Sequence, residues 1–335
     1  MLRALEGGTF SRFDVRMAGA ADPNRAAGDG RLTSGLEDFC RDIFAGGGVI
    51  LSGPREGRFV YDLRRCFDLF CKIVPLKVSN VLSAENRLKR EHIEGVDILL
   101  LRENAAGLYQ GDWRIEESSA GERKAIHSFA YSESEVRRIV EPAARIAASR
   151  KGKLTVIVKD GGLPAISQIW RDCGAAAARA ANVQCSFVNI DLAAYLLIQN
   201  PRDLDVIVAP NLFGDILADL GAVLIGGRGL SFSGNFAADG AAVYQTNHGA
   251  ALDLAGTNRA NPVGQIYSLA MLLRESFGLA EEARIVEDAV ASVWREGWRT
   301  EDMTNAGRPL VGCAEMGDLV AEAVAQSASN LRIAV

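Results

Sequence analysis

The feature that most constrains this chain is a set of short runs that are apolar throughout, alternating with longer stretches of helical periodicity. The clearest runs are Val49-Ile-Leu51, Asp97-Ile-Leu-Leu-Leu101, Leu154-Thr-Val-Ile-Val158, Cys185-Ser-Phe-Val-Asn-Ile190 and Asp205-Val-Ile-Val208. A strand wetted on one side alternates apolar and polar residues, so a strand with no polar side must be covered on both. Helical stretches at 33–45, 132–150, 162–182, 191–199 and 214–224 supply the cover. The pattern predicts an α/β fold, with a parallel or mixed sheet covered by helices on both faces. Two long helices are predicted at 262–278 and 281–297, the first entered through Asn261-Pro262. The Gly- and Ser-rich stretch 226–240 reads as loop.

Composition narrows the class further. At 335 residues the chain has room for two domains. A net charge of −5 argues against a surface devoted to nucleic acid. No stretch approaches the ~18 consecutive apolar residues of a membrane helix. The opening MLRALEGGTF lacks a basic segment followed by an apolar one, so no secretory leader is expected. Six cysteines without a CxxC pair fit reduced thiols in the cytoplasm. The glycines of Gly7-Gly8, Ala20–Gly30 and Gly46-Gly47-Gly48 form no GxGxxG after a strand and read as turns.

Ligands of open α/β sheets bind beyond the carboxyl ends of the strands. Those ends deliver Arg102 and Tyr109, Lys159, Asp191, and Asn211 with Asp215 and Asp219. Taken singly, each is what a solvated loop residue looks like; together they point to one rim. Asp215 and Asp219 stand four apart, which on a helix puts both carboxylates on one face at a small repulsive cost. A hard divalent cation, Mg²⁺ or Mn²⁺, reverses that cost, and Asp191 could complete its oxygen ligands. Equally, Asp215 could cap its helix while Asp219 is solvated. The stretch from His248-Gly249 through Asp253 to Asn261-Pro262 is dense in small residues that let backbone approach a ligand, or form an irregular surface loop.

Four segments resemble the β-decarboxylating hydroxyacid dehydrogenases, the isopropylmalate and isocitrate dehydrogenase family. They are Leu63-Arg64-Arg65 with Asp68-Leu-Phe70; Arg102-Glu103 with Gly107-Leu-Tyr109-Gln-Gly111; Asn211-Leu-Phe-Gly-Asp215-Ile-Leu-Ala-Asp219-Leu220; and His248-Gly249 through Asp253-Leu-Ala-Gly256 to Ala260-Asn261-Pro262. The resemblance implies an isopropylmalate dehydrogenase-like two-domain fold, with residues 1–69 plus 226–335 binding nucleotide and 70–225 forming a central domain with the metal site and dimer interface. It implies Tyr109 as general acid and Lys159 as partner base, and Arg64 and Arg102 as carboxylate clamps. Asp191, Asp215 and Asp219 would be Mg²⁺ or Mn²⁺ ligands, and His248, Gly249, Asp253 and Asn261 would bind adenosine. It further implies a homodimer with a shared site, Lys159 and Asp191 each coming from the neighbour. A phenol beside an ammonium would have a lowered pKa. Asp253 near the ribose would favour NAD over NADP by repelling a 2′-phosphate.

The expected reaction is NAD-dependent oxidative decarboxylation of a 3-carboxy-2-hydroxy acid, a small diacid. The alternative is a non-catalytic or regulatory paralogue. Four departures bear on this choice. The family's opening GDGIGPE loop is missing, so the chain reads as starting about one strand–helix unit late. Val74 stands where the family has another substrate arginine, and Gly161 where an Asn follows the lysine. The loop between the strand at 49–51 and Arg64 is also short. One clamp fewer, at roughly 1.5–3 kcal/mol for a charge-assisted hydrogen bond, points to a specialised substrate.

Overall fold

A computed structural model describes residues 1–18, 30–55, 57–83, 86–303 and 307–333. Gly28 and Asp29 of the Ala20–Gly30 stretch lie outside them. The strands are β1 (Ile50–Ser52), β2 (Cys71–Lys77), β3 (Asp97–Glu103), β4 (Asp112–Glu117), β5 (Arg123–Ser128), β6 (Lys153–Val158), β7 (Gln184–Asn189), β8 (Val206–Ala209), β9 (Phe232–Phe236) and β10 (Ala242–Thr246). The helices are α1 (Leu2–Gly8), α2 (Ser34–Ala45), α3 (Phe59–Cys66), α4 (Arg90–Ile93), α5 (Glu133–Ala148), α6 (Pro164–Ala181), α7 (Ile190–Gln199), α8 (Asn211–Ile225), α9 (Val263–Phe277), α10 (Ala280–Arg295) and α11 (Cys313–Ile333).

Eight strands form one sheet in the order β1-β10-β9-β2-β3-β8-β6-β7. Strands β3, β8, β6 and β7 run parallel. Strand β2 runs antiparallel to both β3 and β9, so the sheet is mixed. The parallel half is where the all-apolar runs fall, and the reason is double burial. Val156, Val158, Val206 and Val208 pack with Val136, Ile139 and Trp170 of α5 and α6. Ile157, Ile207, Ile98 and Leu100 face the other way, onto Leu197, Leu217 and Ile266 of α7, α8 and α9. Each such side chain contributes about 1.5–3 kcal/mol by leaving water. A third cluster, Cys40, Phe59, Leu63 and Val243, seats α2 and α3 on the β1–β10 end.

The stretch 226–240 departs from the loop expectation: Phe232–Phe236 is a strand. Its Ser233 and Asn235 are buried, and their side chains bond across to the carbonyls of Gln245 and Val243. Small polar residues thus serve as strand here because β10 satisfies them. Strands β4 and β5 stand apart as a two-stranded hairpin, exposed along almost all its length.

Candidate active site

Helix α8 leaves the end of β8 through Pro210 and lies across β2 and β3. It gets close because its inner face carries Gly214, Ala218 and Gly221, all buried. A Cβ on Gly214 would sit 2.7 Å from both Cβ and Cγ of Arg102, and one on Gly221 would sit 2.4 Å from Cδ1 of Leu76. Gly214→Ala is therefore expected to cost about 1–3 kcal/mol of overpacking, read as a lower urea midpoint. An unchanged midpoint would show that α8 rides on the sheet with slack.

That contact buries Arg102 to 1% exposure beneath the helix. Its Nε and Nη2 donate to Oδ1 of Asn211 at 3.1 and 2.7 Å, and Nη1 pairs with Asp215. Asn211 is fixed in turn. Its Nδ2 donates to the Ala106 carbonyl at 2.7 Å, and its backbone N–H donates to the Tyr131 hydroxyl at 2.8 Å. Tyr109, on the short 3₁₀ turn after β3, donates its phenol proton to Asp215. Its ring meets Tyr61 edge-on at 5.6 Å and lies 5.5 Å from the Arg102 guanidinium. Burial would raise the Asp215 carboxyl, but Arg102, Lys72 and Arg64 outweigh it and hold the group below its usual value.

Two further cations close the site. Arg64, on α3, is 6% exposed, and its Nε has no hydrogen-bond partner among the described residues. Burial, then the charge on Arg102, lowers it to about 9. Lys72, on β2, is 2% exposed. Burial, then Arg64 and Arg102, push its ammonium well below the usual value against the pull of Asp215 and Asp219.

The structure brings Arg64, Arg102, Tyr109, Asp215 and Asp219 into one neighbourhood. Lys159 and Asp191 stand apart as a pair, with Nζ to Oδ1 at 2.9 Å, both well exposed. The hydrogen bond from Lys159 holds the Asp191 carboxyl below its usual value. Among the described residues no three acidic, His or Cys side chains gather to hold a metal. The lowered phenol pKa expected for Tyr109 is reversed within one chain: burial and then Asp215 push it up to about 12. Among the described residues of one chain no ammonium offsets that burial, and the resemblance places Lys159 on the neighbouring copy.

His248, Gly249, Asp253 and Asn261 line one cavity of about 1080 Å³. Asn261 is held there by accepting from the Val263 N–H at 3.0 Å and donating to Asp302 at 3.2 Å. Arg228 lines the same cavity and pairs with Asp219 at 3.0 Å, so one guanidinium joins the acid pair to the cavity wall. Sequence reasoning passed over Lys72, Tyr61, Arg228 and Asp302. Lys72 alone left a visible trace, a charge inside the otherwise apolar stretch Cys71–Leu76.

The isocitrate/isopropylmalate dehydrogenase family model matches residues 52–320. A 3-isopropylmalate dehydrogenase of Carboxydothermus hydrogenoformans is 42% identical over 267 residues, 78% of this chain and 70% of its own. One from Synechocystis is 39% identical over 258 residues, 76% of this chain and 71% of its own. A solved isocitrate dehydrogenase from Methylococcus capsulatus superposes with a TM-score of 0.79 at 28% identity, covering 88% of this chain and 86% of that one. The match spans β1 to α11 and takes in every residue of the cation–carboxylate cluster and the cavity loop, so the chain belongs to the isocitrate/isopropylmalate dehydrogenase family.

Proposed function

We propose that this protein is an NAD-dependent, Mg²⁺- or Mn²⁺-assisted oxidative decarboxylase of a 3-substituted malate, working as a homodimer with shared active sites. The observation that carries the reading is the joining, through Arg228, of the Tyr109–Asp215–Arg102 cluster to the cavity lined by His248, Asp253 and Asn261. Asp215 and Asp219 offer hard oxygen donors one helical turn apart, the donor chemistry these cations prefer. The partner subunit's Asp191 would add a third. When bound, the cation would supply polarisation of the substrate hydroxyl and NAD would supply a hydride acceptor.

The chain's own residues do the rest. Arg102 and Arg64 hold the substrate's carboxylates, Arg102 from a fork already fixed by Asn211. Lys159 of the partner subunit takes the hydroxyl proton. Tyr109 keeps its proton until carbon dioxide has left, then delivers it to the vacated carbon. With a phenol held up at about 12, Tyr109 is a donor and not a base; the approach of a partner ammonium would ease that proton's release.

The shared site is supported by where apolar surface is left over. Leu192 and Tyr195 beside Asp191, Ile216 and Val223 on α8, and Trp113 and Ile115 on the hairpin are all exposed. Large exposed apolar groups flanking an exposed ion pair fit an interface with a second copy.

The direct test follows nicotinamide absorbance with NAD, Mn²⁺ and a panel of 3-substituted malates, 3-isopropylmalate and isocitrate included. Turnover that a chelator abolishes is expected. No turnover on any of them, with NAD still bound, would sink the reading. Asp253→Lys is expected to shift the NADP-to-NAD preference by roughly tenfold or more, since it replaces repulsion of a 2′-phosphate with attraction. An unmoved ratio of kcat/KM values would place the ribose elsewhere.

A further inference from the structure

Lys72 and Arg102 are direct cross-strand partners in the β2–β3 register. Like charges directly opposite destabilise a sheet, and here both are nearly fully buried. Arg64, the third cation, adds its repulsion to Lys72, and its Nε is left unpartnered. The available negative charge is already committed, Asp215 to Arg102 and Asp219 to Arg228. Lys72 is left without a carboxylate in salt-bridge range among the described residues. A buried, unneutralised cation costs several kcal/mol. Nothing in the packing of β2 requires that cost: Val74 and Leu76, on the same face of the strand, are fully buried hydrocarbon. An apolar residue at position 72 would continue that face.

We propose that Lys72 and Arg64 form a receptor for a substrate carboxylate, making Lys72 a specificity-determining residue that selects dianions over monoanions. The inference rests on the reading above for the identity of the substrate, but not for the existence of the anion site. The cations are packed before the ligand arrives, so the incoming carboxylate relieves a repulsion already present in the empty protein. A monoanion engages Arg102 alone and leaves the Lys72–Arg64 repulsion in place. A dianion satisfies both sides. Lys72 also supplies a cation on the same face of β2 as Val74, two residues away, so the site is not one clamp short.

The test uses the whole protein without metal or NAD, and malonate as probe, with acetate for comparison. Wild-type protein is expected to melt higher as malonate is added and to respond far less to acetate. Lys72→Met should bind malonate about ten- to a hundredfold more weakly. Without ligand it should melt at the same temperature as wild type or higher, because a buried repulsion has gone. Lys72→Arg should keep the response, and Lys72→Gln serves if the methionine variant fails to fold. In turnover, KM for the malate should rise by a similar factor and kcat should change less. A lower melting point with an unchanged malonate response would make Lys72 a structural residue and overturn the proposal. So would a wild-type protein indifferent to malonate. A malonate response that depends on Lys72, in a protein that reduces no NAD with any malate, would leave the anion site standing and remove the dehydrogenase reading.

Discussion

Asp215→Ala is expected to lower kcat/KM by about a thousandfold or more and to destabilise the protein at the same time. The activity loss follows from removing a carboxylate that accepts from Tyr109 and, on the proposed reading, would offer oxygen to a divalent cation. The stability loss has a different origin. Arg102 is 1% exposed, and deleting Asp215 leaves a buried guanidinium held only by Asn211. Breaking such a pair costs about 3 kcal/mol. Asp215→Asn separates the two effects. It keeps an acceptor for Arg102, so most of the stability should return while activity stays low. Urea unfolding and Mn²⁺-saturated kinetics on both variants check this. Activity within tenfold of wild type in the asparagine variant would remove Asp215 from the chemistry.

Mixing two inactive variants should restore activity. Lys159→Met and Asp215→Asn are each expected to be nearly dead, since a positioned proton-transfer group is worth about 10²–10⁴-fold. If the Lys159–Asp191 pair serves the neighbouring copy, a mixed dimer holds one site with Asp215 from one chain and Lys159 from the other, both intact. Random mixing of a two-fold dimer then restores about a quarter of wild-type activity. A site built within one chain gives no recovery. The separation of the Lys159–Asp191 pair from the Asp215 cluster is what makes this the sharper experiment.

The parts of the fold legible in the sequence are those where one physical rule dominates. Strands β3, β6 and β8 are buried on both faces, and their runs of Leu, Ile and Val say so without help from the rest of the chain. Strand β2 obeys two rules at once. It is core at Val74 and Leu76 and site at Lys72, and Pro75 breaks its pattern further. Strand β9 is buried through small polar residues whose partners lie on β10, a relation that no local window contains. The hairpin of β4 and β5 is exposed almost throughout, so no burial within this chain sets its pattern.

The site divides in the same way. Tyr109, Lys159, Asp191 and Asp215 each follow a parallel strand and Arg102 sits one residue from the end of β3, so the rule about carboxyl ends of strands finds them. Lys72 lies at the amino end of the antiparallel β2, where that rule does not look. It becomes informative only once the register sets it opposite Arg102. Arg228 was invisible for a similar reason, since its pairing with Asp219 depends on how the chain turns at Gly226-Gly227 after α8.

The glycine-lined inner face of α8 has a consequence for how this protein can change over generations. A Cβ at position 214 or 221 would force the Arg102 or Leu76 side chain, or the helix itself, to shift. Most random substitutions along that seam would therefore be lost to instability before any new activity could be tested. Drift toward other substrates is left to side chains off that seam, such as Tyr61, whose ring meets Tyr109 edge-on. The charged apparatus can stay constant through a long line of descendants while the neighbouring aromatic wall is rewritten.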